Sequence, residues 1–210
     1  MLTGKDEIKG QNLHLSFDDG FRNNYINAFP VLKKLGIPAI FFIPPSLIET
    51  DRKKISEYSL ITTKNNSVLS TMKWGDVSDI ISNGYEIGSH SMSHTRLSEI
   101  SKNVELLENE IIGSKLSLEK KTGVECKYIS WPFGKISDID KISISFIRRS
   151  GYSACFGGFR GSIVPGITDV YFIPRHHFEV DWPMDHIKYF SNGGMEYYTR
   201  IKNMITYSIR

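Results

Sequence analysis

Cysteine is scarce: the 210 residues include two, Cys126 and Cys155, both inside apolar, strand-like runs. A disulfide-built scaffold is thereby excluded, and the pair lacks the spacing of zinc-binding cysteines, so both read as small core residues. Long apolar runs are missing too, since no stretch approaches the roughly 18 residues that a membrane helix needs. The amino terminus has no apolar leader core. As written the chain points to the cytoplasm, although a leader already removed would leave the same sequence. Neither sign of charge dominates: 26 Lys and Arg stand against 23 Asp and Glu, a net charge of +3 with no basic block. Nucleic acid and other polyanions are therefore disfavoured as partners. No G-x-G-x-x-G or Walker A sequence follows any strand-like run, which argues against a nucleotide fold.

What is present is ordinary for a globular protein, 40% hydrophobic and 23% charged. At this length one domain, 1–210, can bury a full core without staples. Strand-like and helix-like segments alternate. Strands are expected at 13–17, 38–43, 85–90, 126–131, 152–157 and 169–178, the second an unbroken apolar run that reads as buried on both faces. Helices are expected at 23–35 (weakened by Pro30), 74–82, 99–122 and 137–150. A further helical stretch carries Ile187, Phe190, Tyr197, Ile201, Met204 and Ile205, with a break at Gly193-Gly194. Residues 46–72 are polar and unpatterned, an excursion or lid over one end of the domain. This rhythm predicts an α/β fold with a parallel sheet. Polar clusters at the carboxyl ends of several strands favour a (β/α) barrel, irregular or incomplete because only six or seven strands are visible.

Two clusters carry the chemistry. In 13–20, Leu13, Leu15 and Phe17 alternate with His14, Ser16 and Asp18, and the run ends in Asp18-Asp19-Gly20. Adjacent carboxylates repel and are stable at a strand end only beside a positive charge, for which a divalent metal is the usual remedy. Taken alone the triplet also suits a polar turn with an acidic helix cap. The second cluster is Gly88-Ser89-His90-Ser91-Met92-Ser93-His94. One helical turn over 90–94 would put both imidazoles on one face. Asp19, His90 and His94 then offer one oxygen and two nitrogens, a set that suits zinc and also cobalt, nickel, manganese or iron(II). Asp18 is left over, either to take a proton from metal-bound water or to bind the amides of the turn.

Ser16-Phe17-Asp18-Asp19-Gly20 followed by Ser89-His90-Ser91-Met92-Ser93-His94 resembles the first two motifs of the NodB-type polysaccharide deacetylases, carbohydrate esterase family 4. The runs at 37–43 and 74–97 are similar to the family's second strand and histidine block, and Trp131-Pro132-Phe133-Gly134 resembles its third motif. The resemblance implies an irregular (β/α) barrel, a divalent metal on Asp19, His90 and His94, and Asp18 as catalytic base. It implies an acetylated glycan as substrate, and an oxyanion held by the N–H of Phe133. Trp131 and Phe133 are expected to line the groove. Many members carry an arginine two residues before the third motif's proline, where this chain has Ser130. In the run Phe172-Ile173-Pro174-Arg175-His176-His177-Phe178, strand parity puts Arg175 and His177 on one face. Arg175 is accordingly expected to pair with Asp18; the resemblance implies a late histidine as general acid, for which parity selects His177, with His176 next in order and Asp181 able to raise its pKa. His14 and His186 read as structural or surface residues. The expected activity is metal-dependent removal of acetyl groups, N-acetyl first, from amino sugars of a polysaccharide or lipid-linked glycan. The alternatives are a glycan-binding barrel that has lost turnover and a ferrous oxygenase on the same ligands.

Overall fold

The computed structural model describes residues 12–63, 68–179 and 181–195. Within them the sheet comprises β1 (Leu15–Phe17), β2 (Ala39–Ile43), β3 (Glu86–Ser89), β4 (Tyr128–Ser130) and β5 (Ala154–Phe156). All neighbours are parallel and lie in sequence order. Parallel neighbours need crossover connections, so the intervening helices stack on the outer face. The sheet curls into a half-barrel, the incomplete form of the expected barrel.

The helices are α1 (Phe29–Leu35), α2 (Arg52–Thr62), α3 (Trp74–Ser82), α4 (Leu97–Ile100), α5 (Val104–Glu108), α6 (Ser114–Thr122), α7 (Lys141–Arg149) and α8 (Met184–Ser191). Pro30 falls in the first turn of α1, directly after a π-helical stretch, so the bond that its missing N–H cannot make is lost where the helix already departs from α geometry. A π-helical segment, Asn24–Ala28, precedes α1. The excursion is not structureless. Asp51 caps α2 by accepting from the Lys54 N–H at 2.9 Å, but its Leu60 and Ile61 are exposed and only Tyr58 and Ser59 are buried, so the helix has no inward apolar stripe to read. The single helix expected over 99–122 is broken. Asn103 starts α5 by accepting from the Leu106 N–H, and a second π-helical segment, Asn109–Gly113, joins α5 to α6.

The strand expected over 169–178 is corrected to an irregular segment that touches β5 through one bridge, Phe156 to Ile173. Pro174 has no N–H to continue a ladder. The helical expectation at Tyr197, Ile201, Met204 and Ile205 lies outside the described residues.

The period of two sorts β2 into two cores. Phe41 and Ile43 face the helices together with Val77, Ile80, Leu107, Ile111, Leu118, Ile129 and Ile147. Ile40 and Phe42 face the barrel interior with Ala154, Phe156 and Ile173. Full burial of side chains such as Phe41, Phe42 and Ile43 contributes about 2 kcal/mol or more each. Cys126 and Cys155 are buried free thiols, as expected. No helix among the described residues is long and apolar enough to cross a membrane.

Candidate active site

The two carboxylates at the end of β1 point to different partners. Alternation carries Ser16 and Asp18 to the same side, where Arg175 waits. Its guanidinium grips Asp18 with two parallel bonds, Nη1 to Oδ1 at 2.8 Å and Nη2 to Oδ2 at 2.7 Å. Nη1 also donates to Ser16 Oγ at 2.9 Å, Nη2 to Ser130 Oγ at 2.6 Å, and Nε to the Gly157 carbonyl at 2.7 Å. All five donors of the fork are thereby used. The group lies over the Phe42 and Phe156 rings, at 5.2 and 6.0 Å.

Asp19 then takes φ +73° and Gly20 φ +66°, and these consecutive left-handed residues turn the chain away from the strand. A Cβ at Gly20 would lie 3.2 Å from Ile43 and Ile48, so glycine is needed for space as well as for conformation. The turn sends the Asp19 carboxylate towards the histidines, with Oδ1 3.3 Å from His90 Nε2 and 3.1 Å from His94 Nε2.

The histidines do not share a helical turn. Residues 90–94 form an irregular loop with Ser91 at φ +58° and His94 at φ +62°. The rings still converge, 4.9 Å apart. His90 prolongs the sheet by donating its N–H to the Ile43 carbonyl, and its Nδ1 lies 2.8 Å from the Ser130 carbonyl. A carbonyl can only accept, so Nδ1 carries the proton and Nε2 presents its lone pair towards Asp19 and His94. Of the five described non-glycine residues with positive φ, four (Asp19, Ser91, His94 and Phe133) belong to this site. Backbone strain is thus concentrated where side chains must be aimed.

Three supports escape a reading of the motifs. Glu110, buried in the second π-helical segment, accepts from Ser93 N–H at 3.0 Å and Ser93 Oγ at 2.5 Å, and its carbonyl accepts from Met92 N–H. It ties down the histidine loop. Tyr58 of α2 donates to the Asp19 carbonyl. Arg96 lies 3.8 Å over the Phe133 ring and pairs with buried Asp138, while Phe133 packs 4.7 Å from the His94 ring. The sequence signals were faint: an acid on the apolar face of a helix, and a tyrosine in an unpatterned stretch.

Two expectations are corrected. Trp131 is fully buried, its indole donating to the Lys135 carbonyl and its ring packed against Phe159 and Phe172, so it presents no surface to a sugar. His177 gains nothing from strand parity, because no strand forms there. Its side chain is exposed and bonded to Glu179 at 2.8 Å. His176 packs instead against Phe178 and Phe190.

Burial alone would push the Asp18 carboxyl up. The charges of Arg175 and His90 and the hydrogen bonds from Arg175 outweigh it and hold Asp18 below its usual range. Asp19 is likewise pushed up by burial and pulled far down by both imidazoles. The Asp19, His90 and His94 donor atoms all lie within 4.8 Å of one another. With Asp19 ionised and the His90 lone pair fixed in place, these three fit a divalent cation.

Fold and site together describe a parallel half-barrel with its acids and histidines gathered at the carboxyl ends of the strands, the layout of barrel enzymes. Comparison with known proteins gives the class its family. The polysaccharide deacetylase model matches residues 5–154, and the chain belongs to that family, of the NodB type. It is 27% identical over 176 residues to a poly-β-1,6-N-acetyl-D-glucosamine N-deacetylase of Staphylococcus aureus (strain MRSA252), covering 81% of this chain and 56% of that protein. It is also 27% identical over 153 residues to YxkH of Bacillus subtilis (strain 168), covering 72% and 46%. The chain thus spans about half the length of these relatives. Among solved structures, IcaB from Ammonifex degensii superposes with a TM-score of 0.68 at 22% identity, covering 86% of this chain and 73% of that one. The Streptococcus pyogenes deacetylase PplD gives 0.70 at 17% identity, covering 90% and 74%. At these identities the likeness is one of fold.

Proposed function

We propose that this chain hydrolyses the N-acetyl groups of amino sugars in a polysaccharide, releasing acetate and leaving a free amine. The observation that carries the reading is the bidentate Arg175–Asp18 pair beside the Asp19, His90 and His94 donors. Those donors would hold a divalent ion, zinc first, with cobalt, nickel, manganese or iron also suited. Such an ion supplies polarisation of the acyl carbonyl and acidification of water.

Asp18 is the base: ionised, partly exposed and held in one orientation by Arg175. The N–H of Phe133, which sits on a left-handed turn with its ring packed on His94, would donate to the oxyanion. A carboxyl held at a low pKa gives up an acquired proton readily, so Asp18 can return it to the departing amine. His177, bonded to Glu179 at the surface, is not assigned that role. Leu47, Lys54, Glu57, Tyr58 and Ile61, from the described part of the excursion, line a cavity beside His94 that would take part of the glycan. The named activity of the Staphylococcus aureus relative makes a β-1,6-linked N-acetylglucosamine polymer the first substrate to try.

The test is acetate release from N-acetylated β-1,6-glucosamine oligomers. It should stop with chelator, return with metal, and fall about 10²–10⁴-fold in Asp18→Asn. Metal-loaded protein that retains the oligomers and releases no acetate would establish the glycan-binding reading instead.

A further inference from the structure

Of the ligand residues proposed above, Asp19 and His94 are the two that sit at positive φ, +73° and +62°. Such a backbone costs an L-residue of order 1 kcal/mol and persists only where neighbours enforce it. A single side chain outside every motif touches both. Tyr58 Oη donates to the Asp19 carbonyl at 3.0 Å, and the Tyr58 ring meets the His94 ring edge-on at 5.2 Å. With Phe133 at 4.7 Å, His94 is packed by two aromatic rings.

Tyr58 is itself well anchored. It is buried, stacks on Phe21 at 5.3 Å, and belongs to a small separate core of Phe21, Leu47, Tyr58 and Leu69. Its helix is fixed by the Asp51 cap and by Ser59, whose hydroxyl accepts from the Leu69 N–H. The same helix walls a cavity of about 230 Å³ lined by Leu47, Lys54, Glu57, Tyr58, Ile61 and His94 among others.

We infer that Tyr58 is a positioning residue for the metal centre: through it the 46–72 excursion holds two of the three ligands in their strained conformations. This rests on the metal-dependent reading above and adds to it a residue from a segment that carries none of the motifs. Preorganisation of ligands is stored in the fold, so its loss appears in metal affinity before it appears in stability.

The experiment is titration of the metal-free full chain with Co²⁺, followed by the visible spectrum of the bound ion and by calorimetry. Tyr58→Phe, which deletes only the hydroxyl, should weaken Co²⁺ binding about fivefold, the range of one hydrogen bond. Tyr58→Leu, which also removes the ring beside His94, should weaken it roughly 10–100-fold and alter the ligand-field bands. Leu69→Ala loosens the edge of the same small core without touching a ligand and should weaken binding less than Tyr58→Leu does, with the ligand-field bands as in the parent chain.

Parent-like Co²⁺ affinity and spectrum in both Tyr58 variants would overturn the inference while leaving the metal reading intact. Equal weakening in Leu69→Ala would also overturn it, by showing general loosening rather than positioning. A parent chain that binds no Co²⁺ would remove the metal reading and this inference together.

Discussion

Arg175 spends every donor it has, and two of its five bonds go to the carboxylate proposed as base. A lysine has neither the fork nor the reach in two directions. Arg175→Lys should therefore lower kcat/KM about 10²-fold in the acetate-release assay, with metal affinity little changed. Ser130 stands where the third-motif resemblance leads one to expect an arginine, and its hydroxyl is 2.6 Å from Arg175 Nη2. The double variant Ser130→Arg, Arg175→Ser should accordingly recover part of the activity that Arg175→Ser loses. No recovery would mean that the two positions do not deliver a cation to the same place.

The pH profile supplies a second check. Burial raises the Asp18 carboxyl, and Arg175 is the leading contribution that lowers it. Replacing Arg175 with methionine leaves burial less opposed, so the acid limb of kcat/KM should move to higher pH. A limb that stays in place would detach Arg175 from the base.

At the scale of elements, both π-helical segments adjoin the site. Asn24 in the first donates its side-chain amide to the Asp18 carbonyl, and Glu110 in the second holds Ser93. A π-helical turn fits one residue more than an α-helical turn into the same span, and the surplus is taken up as a local bulge. Deleting Ile112 should restore a continuous α-helix with its flanks in register and withdraw the bulge that carries Glu110 to Ser93. Helical content by circular dichroism should persist while Co²⁺ binding is lost. Glu110→Ala, which strands two donors of Ser93, should lower the unfolding free energy by about 1–3 kcal/mol, read from the urea midpoint.

These devices mark the limit of what the sequence discloses. The strands were legible because β2 is apolar throughout and the acidic and histidine motifs punctuate the ends of β1 and β3. Asp19, His90 and His94 were legible as a set because an acidic pair and two histidines four apart fall at the ends of β1 and β3. The bend in 99–122 was not, since a one-residue bulge leaves the apolar period nearly intact. Nor was α2, whose Leu60 and Ile61 are exposed and whose burial rests on Tyr58 and Ser59, so that no apolar stripe marks its inner face. The parity argument placed Arg175 beside Asp18 although no strand forms there, and the same argument failed for His177.

For the molecule as a whole, the clustered charges tie stability to metal and to acid. A ligand that binds only the folded chain, present at a hundred times its Kd, stabilises by about 2.7 kcal/mol. Adding zinc to chelator-treated protein should thus raise Tm by about 5–10 °C in a chain of this size. Asp18 and Asp19 both titrate below their usual range in the folded chain. Their contribution is full above the unfolded carboxylate pKa of about 4 and drains away as pH falls towards the folded values. Metal-free Asp19→Asn should therefore lose Tm less steeply than the parent between about pH 4 and pH 2.

The span between Asp18 and its guanidinium partner, 157 positions of chain, sets an order of events. The stretch that matches the family model, residues 5–154, already contains the acids and both imidazoles but stops short of Arg175. A nascent chain that has emerged only so far has the three donors proposed for the ion and lacks the clamp proposed to aim the base. On that reading competence arrives only when Arg175 docks, and a chain halted before it is chemically mute.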